Sequence, residues 1–220
     1  MTPPRAIAEC RLYLCTPDRP DLAEFVSACL AGGVDIVQLR DKELDARALI
    51  ERAGLLGDLC RRHGVPFILN DRPDLALEVG ADGVHVGQGD APVALARRIL
   101  GPDAFVGLST HTPEDLAEAL DHAAAPAVSY ISAGPVEATP TKPGRPGTGL
   151  EYLQLATARA AWPVFVTGGV TPEKIPALAA AGARHFVVVR YLTEAEDPEG
   201  AARALRAAID HEVATCKERG

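Results

Sequence analysis

Polar side chains suited to phosphate chemistry follow several short aliphatic runs in this sequence. Gln38, Arg40 and Lys42 end one run, and they combine an amide donor with the two cations that proteins use to hold phosphate oxygens. Asp71 and Asp90 follow two successive later runs. One or two carboxylates, together with phosphate oxygens, are the usual ligands of Mg²⁺. The residue types therefore predict a site for a diphosphate and Mg²⁺, provided that the fold brings these runs together.

Each of these residues also has a purely structural explanation. Arg40, Asp41 and Lys42 could form the solvated end of a strand, and Asp71 and Asp90 could each cap the N-terminus of a helix. From the residues alone these alternatives stay open. Strand ends by themselves would not be expected to carry cations, amides and carboxylates in complementary sets, and this favours a site.

A second candidate anion site lies later in the chain. The segment Thr167 to Pro172 contains Gly168 and Gly169 and leads into a predicted helix, so bare amides and a helix N-terminus would point the same way. Arg190 ends the last aliphatic run, and its guanidinium would reach the same space if the face of Val188 points inward. The alternatives are a tight turn for the glycines and an outward ion pair for Arg190.

The stretch from Thr139 to Gly149 is rich in glycine, proline, hydroxyl groups and cations. It is longer than most connections between a strand and a helix, which favours a functional loop. We expect it to act as a mobile lid that reaches over the mouth of the site.

Short aliphatic runs alternate with longer stretches of helical period along the whole chain, and helices are predicted from Leu44 to His63, Pro113 to Ala124 and Pro198 to about Cys216. Thr112, Thr171 and Asp197 each precede a proline and are predicted helix caps. The predicted strands are Leu12 to Cys15, Asp35 to Arg40, Pro66 to Asn70, Gly83 to Val86, Phe105 to Ser109, Tyr130 to Ala133, Val164 to Thr167 and His185 to Arg190.

Eight such units in 220 residues give about 27 residues each, which suits a single (β/α)₈ barrel domain over residues 1–220. An open doubly wound sheet is the alternative, but the first strand is followed by Cys15-Thr16-Pro17-Asp18 and not by a glycine-rich phosphate turn. In a barrel the inward residues at the strand ends line the mouth. Period two along the second strand puts Gln38 and Arg40 on one face.

The composition of the chain argues against some classes of binding partner. Lys plus Arg is 22 against 30 for Asp plus Glu, a net charge of −8 that argues against nucleic acid. Aromatic residues make up 5%, so we expect an aliphatic core. No apolar run is long enough to span a membrane, and the N-terminus lacks a basic segment before an apolar one, which predicts a cytoplasmic protein. Nothing in the sequence defines an oligomeric state.

The cysteines and histidines do not form metal-ligand patterns. The five cysteines, an odd number, include no C-x-x-C pair, and the six histidines include no H-x-x-x-H pair. We therefore expect buried or unreactive thiols and no transition-metal site.

Taken together, the polar motifs resemble the thiamine phosphate synthase family over roughly residues 11 to 193. Six motifs agree in order and spacing, so the resemblance is specific. They are Gln38-Leu39-Arg40-Asp41-Lys42, Asn70-Asp71, Ala81 to Gln88 with Asp90, Gly107 to His111, Gly134-Pro135 with Thr139 to Lys142, and Gly168-Gly169.

The resemblance implies a (β/α)₈ enzyme that joins hydroxymethylpyrimidine diphosphate to thiazole phosphate by a dissociative mechanism, with Mg²⁺ as cofactor and small molecules as partners. It implies that Asp71 and Asp90 bind Mg²⁺ and that Arg40, Lys42, Ser109 and Lys142 are catalytic. The implied residues for the pyrimidine diphosphate are Gln38, Leu39, Arg40, Asp41, Lys42, Asn70, Ser109 and Lys142. Those for the thiazole phosphate are Thr139, Pro140, Thr141, Gly168, Gly169, Val189 and, as a hypothesis, Arg190.

The sequence departs from the family pattern at two places on the thiazole side. Val136-Glu137-Ala138 stands where many relatives have Phe or Trp, and Val188-Val189-Arg190 stands where many have Val-Ser. Two other functions share these residues: a thiazole tautomerase-like isomerase, which has no use for a diphosphate clamp, and a non-catalytic phosphate-ligand binder.

Overall fold

Eight parallel strands close into one barrel. The structure, a computed structural model, describes residues 5–121, 125–140 and 146–219. The strands are β1 (Leu12–Thr16), β2 (Ile36–Leu39), β3 (Phe67–Asn70), β4 (Gly83–Val86), β5 (Phe105–Thr110), β6 (Tyr130–Ala133), β7 (Val164–Val166) and β8 (His185–Val188). Each strand pairs with the next, and β8 pairs with β1. The predicted (β/α)₈ barrel is confirmed, and the open sheet is excluded because β1 and β8 are paired.

Helices follow the strands and pack around the barrel. They are α1 (Leu22–Ala31), α2 (Ala46–His63), α3 (Pro73–Glu78), α4 (Val93–Leu100), α5 (Pro113–Leu120), α6 (Gly149–Arg159), α7 (Ile175–Ala180), α8 (Arg190–Thr193) and α9 (Pro198–Arg219), with 3₁₀ turns at Ile7–Glu9 and Ala125–Ala127. None of the helices in the described ranges is long and apolar enough to cross a membrane.

Two of the three predicted helix caps are confirmed. The Thr112 hydroxyl accepts the Asp115 amide at 3.1 Å, and the Asp197 carboxylate accepts the Gly200 amide at 2.9 Å. The prediction for Thr171 is wrong. Its carbonyl accepts the amides of Lys174 and Ile175, so a turn separates it from α7, which begins at Ile175.

The two faces of the sheet are packed differently. Leu12, Leu14 and Leu39 belong to the aliphatic layer between the strands and the helices. The barrel interior instead contains Tyr13 and Tyr130, together with the residues Ile36, Ile68 and Phe165. The Phe165 ring meets the Tyr13 and Tyr130 rings edge-on, at centroid distances of 5.4 Å and 5.2 Å. The expectation of an aliphatic core is therefore correct for the outer layer and wrong for the interior.

Four cysteines are buried and form no disulfide bond among the described residues: Cys10, Cys15, Cys29 and Cys60. Burial raises the pKa of the Cys10, Cys29 and Cys60 thiols to about 12, which keeps these three protonated and unreactive at neutral pH. The side chain of Cys216 lies outside the described part of the chain.

Candidate active site

A cavity of about 410 Å³ opens at the carboxyl ends of the barrel strands. Its floor is formed by inward side chains of the strands, such as Gln38 on β2 and Ser109 on β5, as the period-two pattern predicts. The predicted site residues that line it are Gln38, Arg40, Asn70, Ser109, Thr139, Gly168, Gly169, Val189 and Arg190. Active sites of this fold are built at this end of the barrel.

Asp71, Asp90 and Lys42 meet beside this cavity. The Lys42 ammonium lies 2.8 Å from Asp71 Oδ2, and the Asp90 carboxyl group lies beside that of Asp71. Burial raises the pKa of the Asp71 carboxyl, and the Asp90 carboxylate adds to this while Lys42 opposes it. Two neighbouring carboxylates beside one ammonium favour the binding of a further cation.

The backbone holds these carboxylates in place. Asp71 has a φ of 63°, an uncommon value for a residue with a side chain, and its amide donates to the His85 carbonyl at 2.8 Å. Asp90 accepts the Gly87 amide at 2.8 Å. The N-cap positions of α3 and α4 are Arg72 and Pro92, so neither aspartate caps a helix, which removes the helix-capping alternative.

These two residues suit a hard divalent cation. No group of three or more His, Cys, Asp or Glu side chains that could hold a metal ion occurs within residues 5–121, 125–140 and 146–219. Within these ranges Asp71 and Asp90 form a pair and not a larger cluster, and a cation bound there would keep positions for water and phosphate oxygens. Mg²⁺ binds proteins in this manner.

A chain of hydrogen bonds runs under the floor of the cavity. The Gln38 amide donates to the Tyr13 hydroxyl at 2.7 Å, and that hydroxyl lies 3.0 Å from the Tyr130 hydroxyl. His85 continues the chain, with Nδ1 3.1 Å from Tyr130 and Nε2 2.9 Å from the Ser109 hydroxyl. Gln38 and Ser109, on opposite sides of the floor, are thus oriented by one buried network.

Sequence reasoning missed the middle of this network. Tyr13 and Tyr130 are fully buried, and burial raises the pKa of both hydroxyl groups. Gly107 leaves the space they need, because a Cβ there would lie 2.2 Å from the Tyr130 ring and 2.4 Å from the His85 ring. The available signal was the alternation Tyr13-Leu14-Cys15 and Tyr130-Ile131-Ser132, which puts each tyrosine on the face of a polar residue.

Three predicted contact residues occupy different environments. Arg40 lines the cavity, and its side chain makes no ion pair in the portion of the chain that the structure covers. Leu39 is fully buried between the sheet and the helices. Asp41 accepts the amides of Glu43 and Leu44 at 2.9 and 3.0 Å. The structure therefore brings Arg40 into the site, packs the Leu39 side chain away from it, and uses Asp41 to shape the loop.

Gly168 and Gly169 form the opposite side of the mouth, with φ values of 96° and 76°. Thr139 lines the same cavity, and Pro140 lines a second cavity together with Arg40 and Val189. Thr141 and Lys142, and with them the middle of the predicted lid, lie outside the described residues. Two charged residues that sequence reasoning did not assign also line this side, Glu137 and Lys174. They are 37 positions apart in the sequence, and no local pattern links them.

The predicted extent of the last strand, to Arg190, is wrong. Strand β8 ends at Val188, and Val189, with φ −120° and ψ −86°, breaks the extended conformation before α8 begins. Val188 faces the helices, whereas Val187 packs on the interior cluster. Arg190 lies at the cavity rim, half exposed, and donates to Glu194 at 2.7 Å and 3.2 Å. An ion pair, the alternative left open for Arg190, is therefore observed, but its partner Glu194 is four residues further along the chain and both side chains line the cavity.

Known proteins resemble this chain along most of its length. A family model described as thiamine monophosphate synthase matches residues 12–192. Thiamine-phosphate synthases from Mycolicibacterium smegmatis and Thermobifida fusca are 44% and 49% identical, covering 94% and 92% of this chain and 95% and 93% of theirs.

Solved structures resemble the fold as well. Thiamine phosphate pyrophosphorylase from Pyrococcus furiosus superposes with a TM-score of 0.83 and 29% identity, covering 93% of this chain and 98% of that chain. A 3-hexulose-6-phosphate synthase from Salmonella typhimurium superposes with a TM-score of 0.68 at 17% identity, covering 92% of this chain and 99% of that one. The second likeness concerns the barrel alone.

Proposed function

Because the chain belongs to the thiamine monophosphate synthase family, we infer that it is a transferase that makes thiamine phosphate. Its substrates are hydroxymethylpyrimidine diphosphate and thiazole phosphate, and its second product is diphosphate. The observation that carries this inference is the grouping of Asp71, Asp90 and Lys42 at one side of a mouth whose other side is the Gly168-Gly169 turn. One barrel end thus offers separate places for a diphosphate and a phosphate.

The reaction replaces one bond at the pyrimidine methylene carbon by another. The carbon–oxygen bond to diphosphate breaks, and the leaving group takes the electron pair. The thiazole nitrogen then donates its own lone pair to the methylene carbon. Since no proton has to be removed from that nitrogen, the site needs no general base, and its main task is to stabilise the negative charge that develops on the leaving oxygen.

Cations of this chain are placed for that task. Arg40 offers a bidentate donor pair without a competing carboxylate among the described residues, and Lys42 offers a point charge beside Asp71. We propose that both bind the diphosphate. A Mg²⁺ ion held by Asp71 and Asp90 would supply further positive charge to the same oxygens. The family resemblance adds Lys142 to this set.

Amide and hydroxyl groups of the floor are placed to hold the pyrimidine. Gln38, Asn70 and Ser109 are each at most 8% exposed and point into the cavity. The buried network fixes the orientation of Gln38 and Ser109, so the ring is held without a further loss of side-chain freedom. On the other side, Thr139, Val189 and the Gly168-Gly169 amides are proposed to hold the thiazole phosphate.

The test is an incubation of purified protein with both substrates and Mg²⁺, followed by separation of the products. We expect thiamine phosphate and diphosphate in equal amounts. An isomerised thiazole with no use of the pyrimidine diphosphate would instead identify a tautomerase-like isomerase. Binding of both ligands without any product would identify a non-catalytic binder. We also propose that the reaction takes place in the cytoplasm, on the basis of the sequence composition.

A further inference from the structure

An ion pair connects two loops on the thiazole side of the mouth. The Lys174 ammonium, in the turn before α7, lies 2.5 Å from Glu137 Oε2 in the loop after β6. Both side chains line the cavity and are about half exposed, at 44% and 53%. Nothing in the reaction described above uses either residue.

The Glu137 carboxylate occupies the space over Gly169. A Cβ added at Gly169 would lie 2.6 Å from Glu137 Oε2 and 3.4 Å from the Lys174 ammonium. The missing side chain thus leaves a hollow in which a carboxylate and an ammonium meet beside a glycine. The hollow therefore suits an anion, and in this structure the Glu137 carboxylate occupies it.

A substrate phosphate would interact with the Lys174 ammonium more strongly than the Glu137 carboxylate does. An exposed ion pair between a carboxylate and an ammonium contributes little to stability, so breaking it costs little. A phosphate carries more charge than a carboxylate and has three oxygens, which can accept from Lys174 and from backbone amides together. Lys174 makes one hydrogen bond to Glu137, whereas Arg190, the other cation on this side, makes two to Glu194. Lys174 is therefore the easier of the two to release from its partner.

We propose that Lys174 binds the phosphate of the thiazole substrate and that Glu137 is the anion this phosphate displaces. The proposal rests on the proposed function and assigns a cation to its second substrate. Until the substrate arrives, Glu137 keeps the ammonium turned toward the hollow over Gly169. Lys174 and Glu137 therefore have opposite effects on binding: the first attracts the phosphate and the second competes with it.

This opposition gives the test. Lys174→Gln should raise KM for thiazole phosphate about tenfold, as expected when a hydrogen bond to a charged group is lost, and Glu137→Gln should lower it about twofold, as expected for one exposed ion pair. In both variants kcat and KM for the pyrimidine diphosphate should stay within a factor of two, as order-of-magnitude limits. Lys174→Arg should restore most of the binding. Arg61→Gln, which removes an equally exposed cation paired with Asp58 on α2, is the matched control and should change nothing.

Two results would overturn the proposal: an unchanged KM in Lys174→Gln, or an equal rise in KM in both variants, which is the signature of a merely structural pair. Failure of the wild-type protein to form thiamine phosphate would overturn the proposed function instead. In that case calorimetric Kd values for thiazole phosphate in the same variants provide the same test of sign. Opposite shifts in Kd would support the exchange of anions, and equal shifts would contradict it.

Discussion

The two ends of the barrel differ in the number of donors that surround their aspartate side chains. At the end where the strands begin, Asp35 is 3% exposed and has four donors around it: the amides of Arg11 and Leu12 at 2.9 Å, and the guanidinium groups of Arg206 and Arg5 at 2.8 and 3.3 Å. At the mouth, Asp71 and Asp90 face each other with Lys42 as the ammonium that pairs with Asp71.

This difference separates stability from function. At the end where the strands begin, which we call the closed end, the buried Asp35 carboxylate has its donors within the chain, so this site is complete without a ligand. At the mouth the carboxylates repel each other and Arg40 has no carboxylate partner in the regions the structure describes, so a cation and a diphosphate complete the arrangement. Substitutions at the closed end should therefore lower stability, and substitutions at the mouth should lower turnover.

The largest expected effect is on stability, at the closed end. Asp35→Ala leaves two buried amides and the Arg206 guanidinium without their acceptor, so we expect the free energy of unfolding to fall by about 3–5 kcal/mol. Urea denaturation measures this change in the free energy of unfolding. Asp210→Ala removes only the exposed partner of the same arginine and serves as the control, with an expected change below about 1 kcal/mol. A similar loss in both variants would show that Asp35 has no special role.

The closed end should also make stability depend on pH through His185. Its Nδ1 lies 2.6 Å from the Cys10 carbonyl, and burial lowers the pKa of His185 from 6.5 to about 4. Between these values the unfolded chain binds a proton that the fold excludes, so stability is lost as the pH falls from 6.5 to 4. The pKa difference corresponds to about 3 kcal/mol.

Denaturation of wild type and His185→Gln across this range isolates the imidazole. Burial raises the pKa of Asp35, which gives the opposite slope, but both proteins retain that residue and it cancels in the difference. We expect the variant to lose less stability on acidification. Identical pH profiles would contradict the assignment.

At the mouth, Asp71→Asn and Asp90→Asn should each lower turnover at least about 10²-fold, or roughly 2.7 kcal/mol of transition-state stabilisation. Neither should lower the free energy of unfolding by more than about 1 kcal/mol, because removing one carboxylate relieves the repulsion between the two. Asp74→Asn, an exposed carboxylate on α3, is the control. Undiminished turnover in either variant, or in wild type with EDTA, would remove the metal assignment.

The smallest effect is expected at the rim. Arg190 is half exposed and bound to Glu194, so Arg190→Ala should change KM for thiazole phosphate by less than about threefold. Steady-state kinetics with varied thiazole phosphate and saturating pyrimidine diphosphate measures this change. A rise of tenfold or more would mean that Arg190 leaves Glu194 and binds the phosphate directly, as the sequence suggested.

Local patterns in the sequence predicted the features that depend on neighbours along the chain. The period-two placement of Gln38 and Arg40 and the caps at Thr112 and Asp197 are examples, since a few consecutive residues define each of them. The barrel followed from the repeated alternation of strands and helices. The grouping of Asp71 and Asp90 followed from their positions after adjacent strands.

Features that depend on distant residues could not be read in this way. The Tyr13 and Tyr130 hydroxyls are 117 positions apart, and the barrel closure alone makes them neighbours. The same holds for Glu137 and Lys174. The end of β8 was misplaced for a different reason: Val189 is a residue typical of strands, and its backbone departs from the extended conformation.

The most direct test of the contrast between the two ends is a calorimetric titration of the protein with diphosphate, with and without Mg²⁺. If Asp71 and Asp90 bind Mg²⁺ and the metal ion binds diphosphate, Mg²⁺ should increase the affinity for diphosphate at least about tenfold in wild type. This gain should disappear in Asp71→Asn. Equal affinity with Mg²⁺ and with EDTA, or an undiminished gain in Asp71→Asn, would contradict the account.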